Sequence, residues 1–377
     1  MKVTTMSADA LTEGQIARWA ALQRETPEFG SPLVGPYFAH LVHRHRGDVH
    51  IAIASEDGRE VAFFAFHKAS HGHVRPVGAP FSDYQAIVSE PGLKLDGTAL
   101  LAEAGIERMA VSGLMDPHGW FQSAPLEPTL GYRISVKNGG AAKLERLRQA
   151  NPKWAKNLRR RINKMERELG PIRFITGDLD PSALKVVLQL KIDQYHESGL
   201  TNVLRPHWVK AMMQDLFSRT NPEFGGCLIT LFAGDHLVSG QFGVRQGGWF
   251  HPWISSTCPK AHPYAPGIIF LGEMLCHAEN IGIEIIDLAL GHSHYKSQFA
   301  RNPAPVQAGQ VGRRAISVST AQTGPIGLIQ KRLDLIASVE PDLAGRLHAG
   351  WAAVTSAPRR LIARSKARQP DRVSSDD

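Results

Sequence analysis

The stretch from Tyr264 to Phe299 constrains the fold more than any other part of the sequence. It opens with a turn that contains Pro266 and Gly267, continues with apolar residues at helical spacing, and ends in a short apolar run that stops at Gly291. This order predicts a helix followed by a buried strand. Because open α/β sheets usually carry reactive groups just beyond the ends of strands, we expect chemistry near both ends of this stretch.

The turn before the predicted helix suits an anion. A proline at the first helical position costs no hydrogen bond, and a glycine beside it leaves room for an anion to approach the free N–H groups, which carry about half a positive charge. Pro266 and Gly267 can therefore hold a phosphate. An ordinary helix start is the alternative interpretation of the same two residues.

Polar residues lie within and after the predicted strand. Asp287 interrupts the apolar run, and because an unpaired charge there would be costly, it either pairs with a buried base or faces a substrate. His292, Tyr295 and Lys296 follow the strand and can donate, accept or carry a proton. Histidine is the side chain best suited to proton transfer near neutral pH. The alternative is that His292 and His294 are ordinary surface residues.

Length and composition indicate a soluble protein with two domains. A chain of 377 residues can bury two cores of ordinary size, and 43% of its residues are hydrophobic. Its first residues lack an apolar run behind a basic start, and no uncharged apolar run reaches the roughly 18 to 20 residues that span a bilayer. Its three cysteines form no CxxC pair, which suits a reducing compartment. We expect a cytoplasmic protein, with peripheral attachment to the inner membrane as the alternative.

The net charge of +8 is concentrated in two segments. Seven basic residues and one acid lie between Lys153 and Arg167, and six basic residues and one acid lie between Thr355 and Arg372. The rest of the chain is slightly acidic, so the charge does not indicate a basic surface over the whole fold. Each basic segment is a candidate for contact with a membrane surface.

The first basic segment lies on an amphipathic helix predicted between Asn151 and Gly170. Apolar residues recur there every three or four positions, and basic residues, among them Arg160, occupy the opposite face. This face has three interpretations, which we rank in order: contact with a phosphorylated acceptor or a membrane surface, a plain solvated face, and binding of RNA.

The sequence also contains an internal repeat. A pattern of strand, turn and strand, with Asp57-Gly58 at its turn, recurs 177 residues later with Gly234-Asp235 at the turn. The same offset places Ile106-Glu107 on Ile283-Glu284. Because order and spacing agree together, a diverged duplication is the preferred interpretation, and chance is the alternative.

These features together resemble a known family. The Pro-Gly loop, the helix, the apolar strand with Asp287, the closing Gly291 and the pair Tyr295-Lys296 are similar to the last third of the CelD-like acetyltransferase family in the GNAT superfamily. That family shares a tandem-GNAT plan with the FemAB group, whose members add amino acids to cell-wall precursors. The resemblance covers residues 45–300 and is most specific over 151–300.

The resemblance implies an α/β fold of tandem GNAT-like domains, each a mixed twisted sheet flanked by helices. An N-terminal GNAT-like half is expected at residues 1–145, a basic linking helix at 146–170, and a C-terminal GNAT domain with the donor site at 171–322. A tail that is helical and then basic, and partly disordered, is expected at 323–377.

The resemblance also implies a donor, a chemistry and site residues. Direct attack of an amine on a thioester needs a base and N–H groups that hold the oxyanion, and the base would be His292 or a water chain to Asp287. The expected donor is acyl-CoA, either acetyl-CoA or a longer thioester. The candidate residues are Tyr264, Pro266, Gly267 and Ile268 for the donor, His292, Asp287 and Tyr295 for catalysis, and Asp83, Tyr84, Arg160 and Lys296 for the acceptor. No metal is expected, because the histidine pairs lie at no zinc-ligand spacing.

The predicted function is acyl transfer from acyl-CoA to an amine or hydroxyl group of a sugar nucleotide, or of a polysaccharide, cellulose or cell-envelope precursor. Nucleic acid is not the expected partner. Two alternatives remain open. One is a FemAB-like transferase that uses aminoacyl-tRNA, with the basic helix as its RNA contact. The other is a catalytically inactive GNAT-like module in exopolysaccharide assembly.

Overall fold

Helices and strands alternate along the chain. The computed structural model describes residues 1–69, 71–137, 139–292, 294–300, 303–317 and 325–356. The first half forms β1 (Lys2–Ser7), α1 (Glu13–Glu25), α2 (Pro36–Arg46), β2 (Val49–Glu56), β3 (Arg59–Lys68), β4 (His73–Arg75), β5 (Val88–Ser89), α3 (Gly97–Glu103), β6 (Arg108–Leu114) and β7 (Leu126–Ser135). The second half forms α4 (Gly140–Ala150), α5 (Pro152–Leu169), β8 (Ile172–Thr176), α6 (Pro181–Glu197), α7 (His207–Ser218), β9 (Gly225–Ala233), β10 (His236–Gln246), β11 (Trp249–Thr257), α8 (Pro266–His277), β12 (Ile285–Leu290), α9 (His294–Phe299), β13 (Ala304–Val311), α10 (Pro325–Val339) and α11 (Leu343–Thr355).

One mixed sheet runs through the molecule. Its strand order is β1-β2-β3-β4-β6-β13-β7-β12-β11-β10-β9-β8, and β5 pairs with β3 beside this path. Two of the pairs are parallel, β4 with β6 and β11 with β12. The predicted α/β class, with a twisted mixed sheet flanked by helices, is confirmed.

The two halves of the sheet have matching strand arrangements when each half is followed from its outer edge to the middle. The strands β2, β3, β4 and β6 correspond to β9, β10, β11 and β12, and β3 begins 177 residues before β10. The last strand of each half crosses to the other half, because β7 pairs with β12 while β13 pairs with β6. This exchange joins the two halves into one sheet, and the predicted repeat is confirmed at the level of the fold.

A gap opens between β11 and β12. These strands pair at two positions, Trp249 with Ile285 and Phe250 with Ile286. Beyond Phe250, β11 continues beside β10 as far as Thr257. The edge of β11 that faces β12 therefore leaves a wedge-shaped opening in the sheet.

The corresponding opening in the first half is filled by the chain itself. β4 and β6 likewise pair at two positions, but the segment 76–87 then packs into the space beside β6. Gln85 forms a bridge with Leu114, and Phe81 and Tyr84 are buried. Among the described residues, the segment 76–87 thus occupies the first opening, whereas the second holds a cavity.

Side chains from both halves share one hydrophobic core. The rings of Phe38 in α2 and Trp253 in β11 lie 5.8 Å apart, and those of Phe81 and Trp253 lie 5.6 Å apart. The core therefore holds the segment 76–87 of the first half against β11 of the second half.

The helix α5 lies on the surface, with Leu158 and Met165 as its buried residues. Gly170 follows the last residue of α5 as its C-cap, and its φ of 105° is a conformation that favours glycine. Within the described ranges, no helix combines the length and the apolar character needed to cross a bilayer. The predicted tail lies outside these ranges at residues 323–324 and 357–377.

Candidate functional site

A cavity of about 530 Å³ occupies the opening between β11 and β12. This volume is in the range of small-molecule sites, which is about 300 to 1,000 Å³. The walls are formed by α6, the separated part of β11 and the start of α8, and they include Gln241, Pro252, Ser255, Gly267, Ile268 and Tyr295. Three predicted site residues, Gly267, Ile268 and Tyr295, therefore line one cavity.

The N-terminus of α8 lies at the wall of this cavity. Ala265 precedes the helix in a left-handed conformation, with φ 55° and ψ 55°, and Pro266 begins it. A Cβ atom placed on Gly267 would lie 3.7 Å from the methyl group of Thr257, an ordinary contact distance. Pro266 has no N–H group, and the N–H groups of Ile268 and Ile269 donate to the carbonyl oxygen of Ala265 at 3.1 and 3.3 Å. An anion at this end of α8 would therefore be met by the N–H group of Gly267 and by the positive end of the helix.

Two of the residues predicted to bind the donor, Pro266 and Tyr264, do not line this cavity. Pro266 is buried beneath the turn. The hydroxyl group of Tyr264 donates a hydrogen bond to the carboxylate of Glu168 in α5 at 2.7 Å, and the ammonium group of Lys164 lies 5.6 Å from its ring. Tyr264 therefore ties the loop before α8 to the basic helix instead of facing the cavity.

A buried polar cluster joins the two halves of the chain. The Tyr84 hydroxyl group donates a hydrogen bond to Oδ1 of Asp287 at 2.9 Å. His251 in β11 lies between two carboxylates, with Nε2 2.9 Å from Oδ2 of Asp83 and Nδ1 3.6 Å from Oδ1 of Asp287. His251 and Asp287 are fully buried. The first half supplies Asp83 and Tyr84, so neither half contains the complete cluster.

Arg133 in β7 completes the cluster. Its Nε atom lies 3.5 Å from Oδ2 of Asp287, and its guanidinium group lies over the rings of Tyr84 and Trp249 at 5.1 and 4.8 Å. The exchanged strand β7 brings Arg133 into register with Asp287. The backbone N–H of Ala289 also donates to Oδ1 of Asp287, at 2.8 Å.

Charge compensation determines the protonation states in this cluster. Burial alone would lower the pKa of His251, but the carboxylates of Asp287 and Asp83 raise it to about 9. Burial alone would raise the pKa of Asp287, but His251 and Arg133 hold it below its usual range. Burial and the neighbouring Asp287 raise the pKa of Tyr84. At neutral pH the cluster therefore contains a protonated His251, an ionised Asp287 and a neutral Tyr84 that donates a hydrogen bond.

The stability of the protein is expected to fall as the pH rises from about 6.5 to 9. His251 has a folded-state pKa of about 9, above the unfolded value of about 6.5, so its contribution is fully present below pH 6.5 and is lost as the pH approaches 9. The loss is on the order of 3 kcal/mol. Urea unfolding at several pH values should show this slope in the wild type and a smaller one in His251→Asn. Equal slopes in the two proteins would contradict a protonated His251.

A second group of polar residues lies beyond the end of β12. Lys296 donates a hydrogen bond from Nζ to the carbonyl oxygen of Leu290 at 2.6 Å. Burial lowers the pKa of Lys296, although the carboxylates of Asp83 and Asp287 oppose this shift. The exposed His292 lies with Nδ1 2.8 Å from the hydroxyl oxygen of Tyr132. The side chain of His294 lies outside the described part of the structure.

The cavity reaches both faces of the sheet, because α6 packs on the face that carries His251 and α8 packs on the other face. Pro252 and Leu288 line the cavity, and each directly follows a cluster residue, His251 or Asp287, in its strand. Successive residues of a strand point to opposite faces. Two ligands that approach from the two faces can therefore meet at the gap between β11 and β12.

Most of the predicted acceptor residues converge at this gap. Asp83, Tyr84 and Lys296 lie around Asp287, as the contacts above show. Arg160 does not. It lies with other basic side chains of α5 and Pro263 along a separate surface groove. Among the described residues, no group of three His, Cys, Asp or Glu side chains is arranged to hold a metal ion.

Sequence reasoning missed His251 and Arg133. His251 follows the apolar pair Trp249-Phe250, a signal similar to the one that identified Asp287. Arg133, by contrast, lies in a strand of mixed polarity that gives no such signal. Arg133 and Asp287 are paired across neighbouring strands but lie 154 positions apart in the sequence. Local sequence patterns do not specify such a pairing.

Comparisons with known proteins agree with this fold. Residues 152–297 match the family model described as an acetyltransferase (GNAT) domain. The chain matches no curated protein in a sequence comparison. Among solved structures, FemX has a TM-score of 0.52 at 9% identity, with 83% of this chain and 98% of that chain covered.

Two further solved structures are similar at lower scores. The C-terminal domain (DUF2156) of an Agrobacterium fabrum protein assigned as a lysylphosphatidylglycerol synthetase has a TM-score of 0.45 at 12% identity, with 85% of this chain and 95% of that chain covered. A tandem GNAT protein from the clavulanic acid biosynthesis pathway has a TM-score of 0.43 at 10% identity, with 81% and 95% covered.

The family match and the repeated strand order confirm the predicted tandem GNAT-like fold. The finer resemblance to CelD-like acetyltransferases stays a prediction. Over residues 152–297, the second half of the chain carries an acetyltransferase (GNAT) domain.

Proposed function

We propose that this protein transfers an acyl group from acyl-CoA to an amine or hydroxyl group of a sugar nucleotide or of a polysaccharide or cell-envelope precursor. The observation that carries the proposal is the gap between β11 and β12, which holds a cavity and lies beside a buried charged cluster. GNAT domains use acyl-CoA, which supports the choice of donor.

The cavity has the features that an acyl-CoA donor requires. The N-terminus of α8 can receive the pyrophosphate, and Gly267 leaves that approach open. The edge of β11 beyond Phe250 faces the gap, so its backbone N–H groups can stabilise the oxyanion that forms at the thioester carbonyl. Tyr295 lines the same cavity and can protonate the departing thiolate.

The acceptor would approach from the face that carries the cluster. The Asp83 side chain is 31% exposed, whereas His251 and Asp287 are fully buried. This exposure supports Asp83 as the group that accepts the proton, with His251 and Asp287 as positioning residues. The earlier candidates for the base, His292 and a water chain to Asp287, are the alternatives.

The reaction balances without a further cofactor. The acceptor nitrogen or oxygen attacks the thioester carbonyl, and a new bond to the acyl carbon forms as the C–S bond breaks. The proton lost by the acceptor passes to Asp83, and Tyr295 gives its proton to sulfur, so CoA leaves as a free thiol. Asp83 then releases its proton to water, and Tyr295 regains one from water.

Replacement of Gly267 by phenylalanine is expected to weaken acyl-CoA binding at least about tenfold, because the ring would occupy the approach to the N-terminus of α8. Calorimetric titration with acetyl-CoA measures this directly. Gly14→Phe is the matched control, because Gly14 lies in the first turn of α1, where an added Cβ meets only the Thr12 hydroxyl group at 3.9 Å. Equal affinity in the Gly267 and Gly14 variants would exclude this turn as the donor site.

Lys296 and His292 are expected to act in different steps. Lys296 is a point charge suited to holding a phosphate of the acceptor. Lys296→Ala should therefore raise the KM for the acceptor by about ten- to a hundredfold, the usual worth of a charged hydrogen bond, while kcat changes less. The exposed Lys94 provides the control variant Lys94→Ala.

His292→Ala separates two of the three candidate bases, His292 and Asp83. If His292 is the base, kcat falls and the acidic limb of the rate profile flattens. Under the assignment to Asp83, that limb stays unchanged in His292→Ala. The two profiles are measured with the same acceptor.

A second candidate function is transfer from aminoacyl-tRNA, as in the FemAB group. The basic groove along α5, which includes Arg159, Arg160, Arg161 and Lys164, favours it, and FemX has a similar fold. The same titrations separate the two functions. Tight, salt-sensitive binding of tRNA without heat from acyl-CoA would favour this second candidate.

A further inference from the structure

The C-terminal helical hairpin, α10 with α11, turns large apolar side chains toward solvent. Four of them lie on α11 and are each between 67% and 73% exposed: Leu343, Leu347, Trp351 and Val354. The side of α11 that packs against α10 presents the small residues Ala349 and Ala353, which contact Ile336. A helix that packs only within a soluble fold is expected to bury its large apolar residues instead.

The exposed residues form a stripe. Positions 343, 347, 351 and 354 are spaced by four, four and three residues, which places them on one side of an α-helix. α10 adds Ile329 and Leu333, which are 59% and 57% exposed. Soluble proteins rarely leave such a surface uncovered, so this surface indicates a binding partner.

The hairpin is firmly attached to the second half of the chain. Trp208 in α7 donates a hydrogen bond from Nε1 to the carbonyl oxygen of Val339 at 2.8 Å. Arg205 forms an ion pair with the buried Glu340 and donates to the carbonyl oxygen of Gly345 at 3.1 Å. The Ser356 hydroxyl group donates to the carbonyl oxygen of Gly199 at 3.3 Å. The apolar stripe therefore has a fixed orientation.

Charge identifies the partner. The hairpin carries as many acidic as basic residues, whereas the sequence after it adds six basic residues and three acids, a net charge of +3. An apolar helix face with an aromatic residue and an adjoining basic segment is the pattern that binds anionic bilayers. We propose that the hairpin docks the protein on an anionic membrane surface, with Leu347 and Trp351 in the interface.

Docking would bring the proposed donor site close to the bilayer. A second cavity, of about 360 Å³, lies between the C-terminal end of α6 and the hairpin. His196 in α6 lines both this cavity and the one at the gap between β11 and β12. If the proposed acyl transfer holds, a lipid-linked acceptor could reach the site without leaving the membrane. The docking itself does not rest on the proposed function.

Cosedimentation with vesicles tests the docking. The full chain should bind vesicles of phosphatidylcholine and phosphatidylglycerol, and binding to phosphatidylcholine alone should be weaker by about fivefold for each basic charge near the surface. The double variant Leu347→Glu, Trp351→Glu should bind the mixed vesicles at least about tenfold more weakly. Leu179→Glu is the control, because Leu179 is also 66% exposed but precedes α6 in a loop.

Three outcomes would overturn the proposal. The first is undiminished vesicle binding by the double variant, and the second is equal binding to both kinds of vesicle. The third is a dimer in light scattering that the double variant abolishes, without vesicle binding by the wild type, because a second copy of the chain would then cover the stripe. Circular dichroism and urea unfolding confirm that the variants remain folded.

Discussion

Replacement of Asp287 by alanine is expected to lower the free energy of unfolding by about 3 to 5 kcal/mol, the usual effect of removing one partner from a buried ion pair. Asp287 is fully buried, and its carboxylate faces His251 at 3.6 Å and Arg133 at 3.5 Å. Without it, the partly buried Arg133 loses its counter-charge, the buried His251 keeps only Asp83, and the Tyr84 hydroxyl group loses its acceptor. Urea unfolding at neutral pH measures the loss.

Controls separate this effect from a general sensitivity of the fold. Asp235→Ala, in an exposed turn between β9 and β10, should change the stability by no more than about 0.5 kcal/mol. The double variant Asp287→Ala, His251→Ala should lose less than the sum of the single losses, because the two residues interact directly. If Asp287→Ala does not fold, Asp287→Asn keeps the volume and removes only the charge. A loss below about 1 kcal/mol would contradict a buried ion-pair cluster.

The second large effect is expected in catalysis. Asp83→Asn should lower kcat by about a hundred- to ten-thousandfold, the usual contribution of a general base. The change keeps the shape of the side chain and removes the carboxylate that His251 holds at 2.9 Å. Because Asp83 does not line the donor cavity, the affinity for acetyl-CoA should stay unchanged.

The pH dependence distinguishes a catalytic Asp83 from a structural one. Loss of a general base should flatten the acidic limb of the profile of kcat against pH, whereas a distorted site would lower the whole profile. Asp57→Asn, in the exposed turn between β2 and β3, is the matched control. A fall of less than threefold in kcat would move the assignment to His292.

Much of the fold could be predicted because the sequence patterns that indicate its turns and strands lie within short segments of the chain. The hairpin turns, the apolar strands and the offset of 177 residues predicted two similar halves of a mixed sheet. The exchange of β7 and β13 could not be predicted, because the choice of partner strand depends on contacts between segments far apart in the chain. Without this exchange the two halves would not form one sheet.

The sequence predicted the part of the candidate site that contains a charged residue within an apolar strand. Asp287 stood out as a charge within an apolar strand, and the structure surrounds it with His251, Arg133 and Tyr84. The identity of these partners depends on the packing of the segment 76–87 against β11, which no pattern within either segment specifies. The resemblance to a known family identified Asp83 and Tyr84 but not their buried partner His251.

The most direct test of the central claim is the release of CoA thiol by the wild-type protein, measured with acetyl-CoA and a series of amino and hydroxyl sugars and their nucleotide derivatives. We expect thiol release that depends on one class of acceptor and falls at least about a hundredfold in Asp83→Asn. At acetyl-CoA concentrations below saturation, it should be retained in Gly14→Phe and reduced in Gly267→Phe. Absence of acetyl-CoA binding by calorimetry, together with no thiol release for any acceptor, would contradict the account and leave a tRNA-dependent transferase or an inactive module.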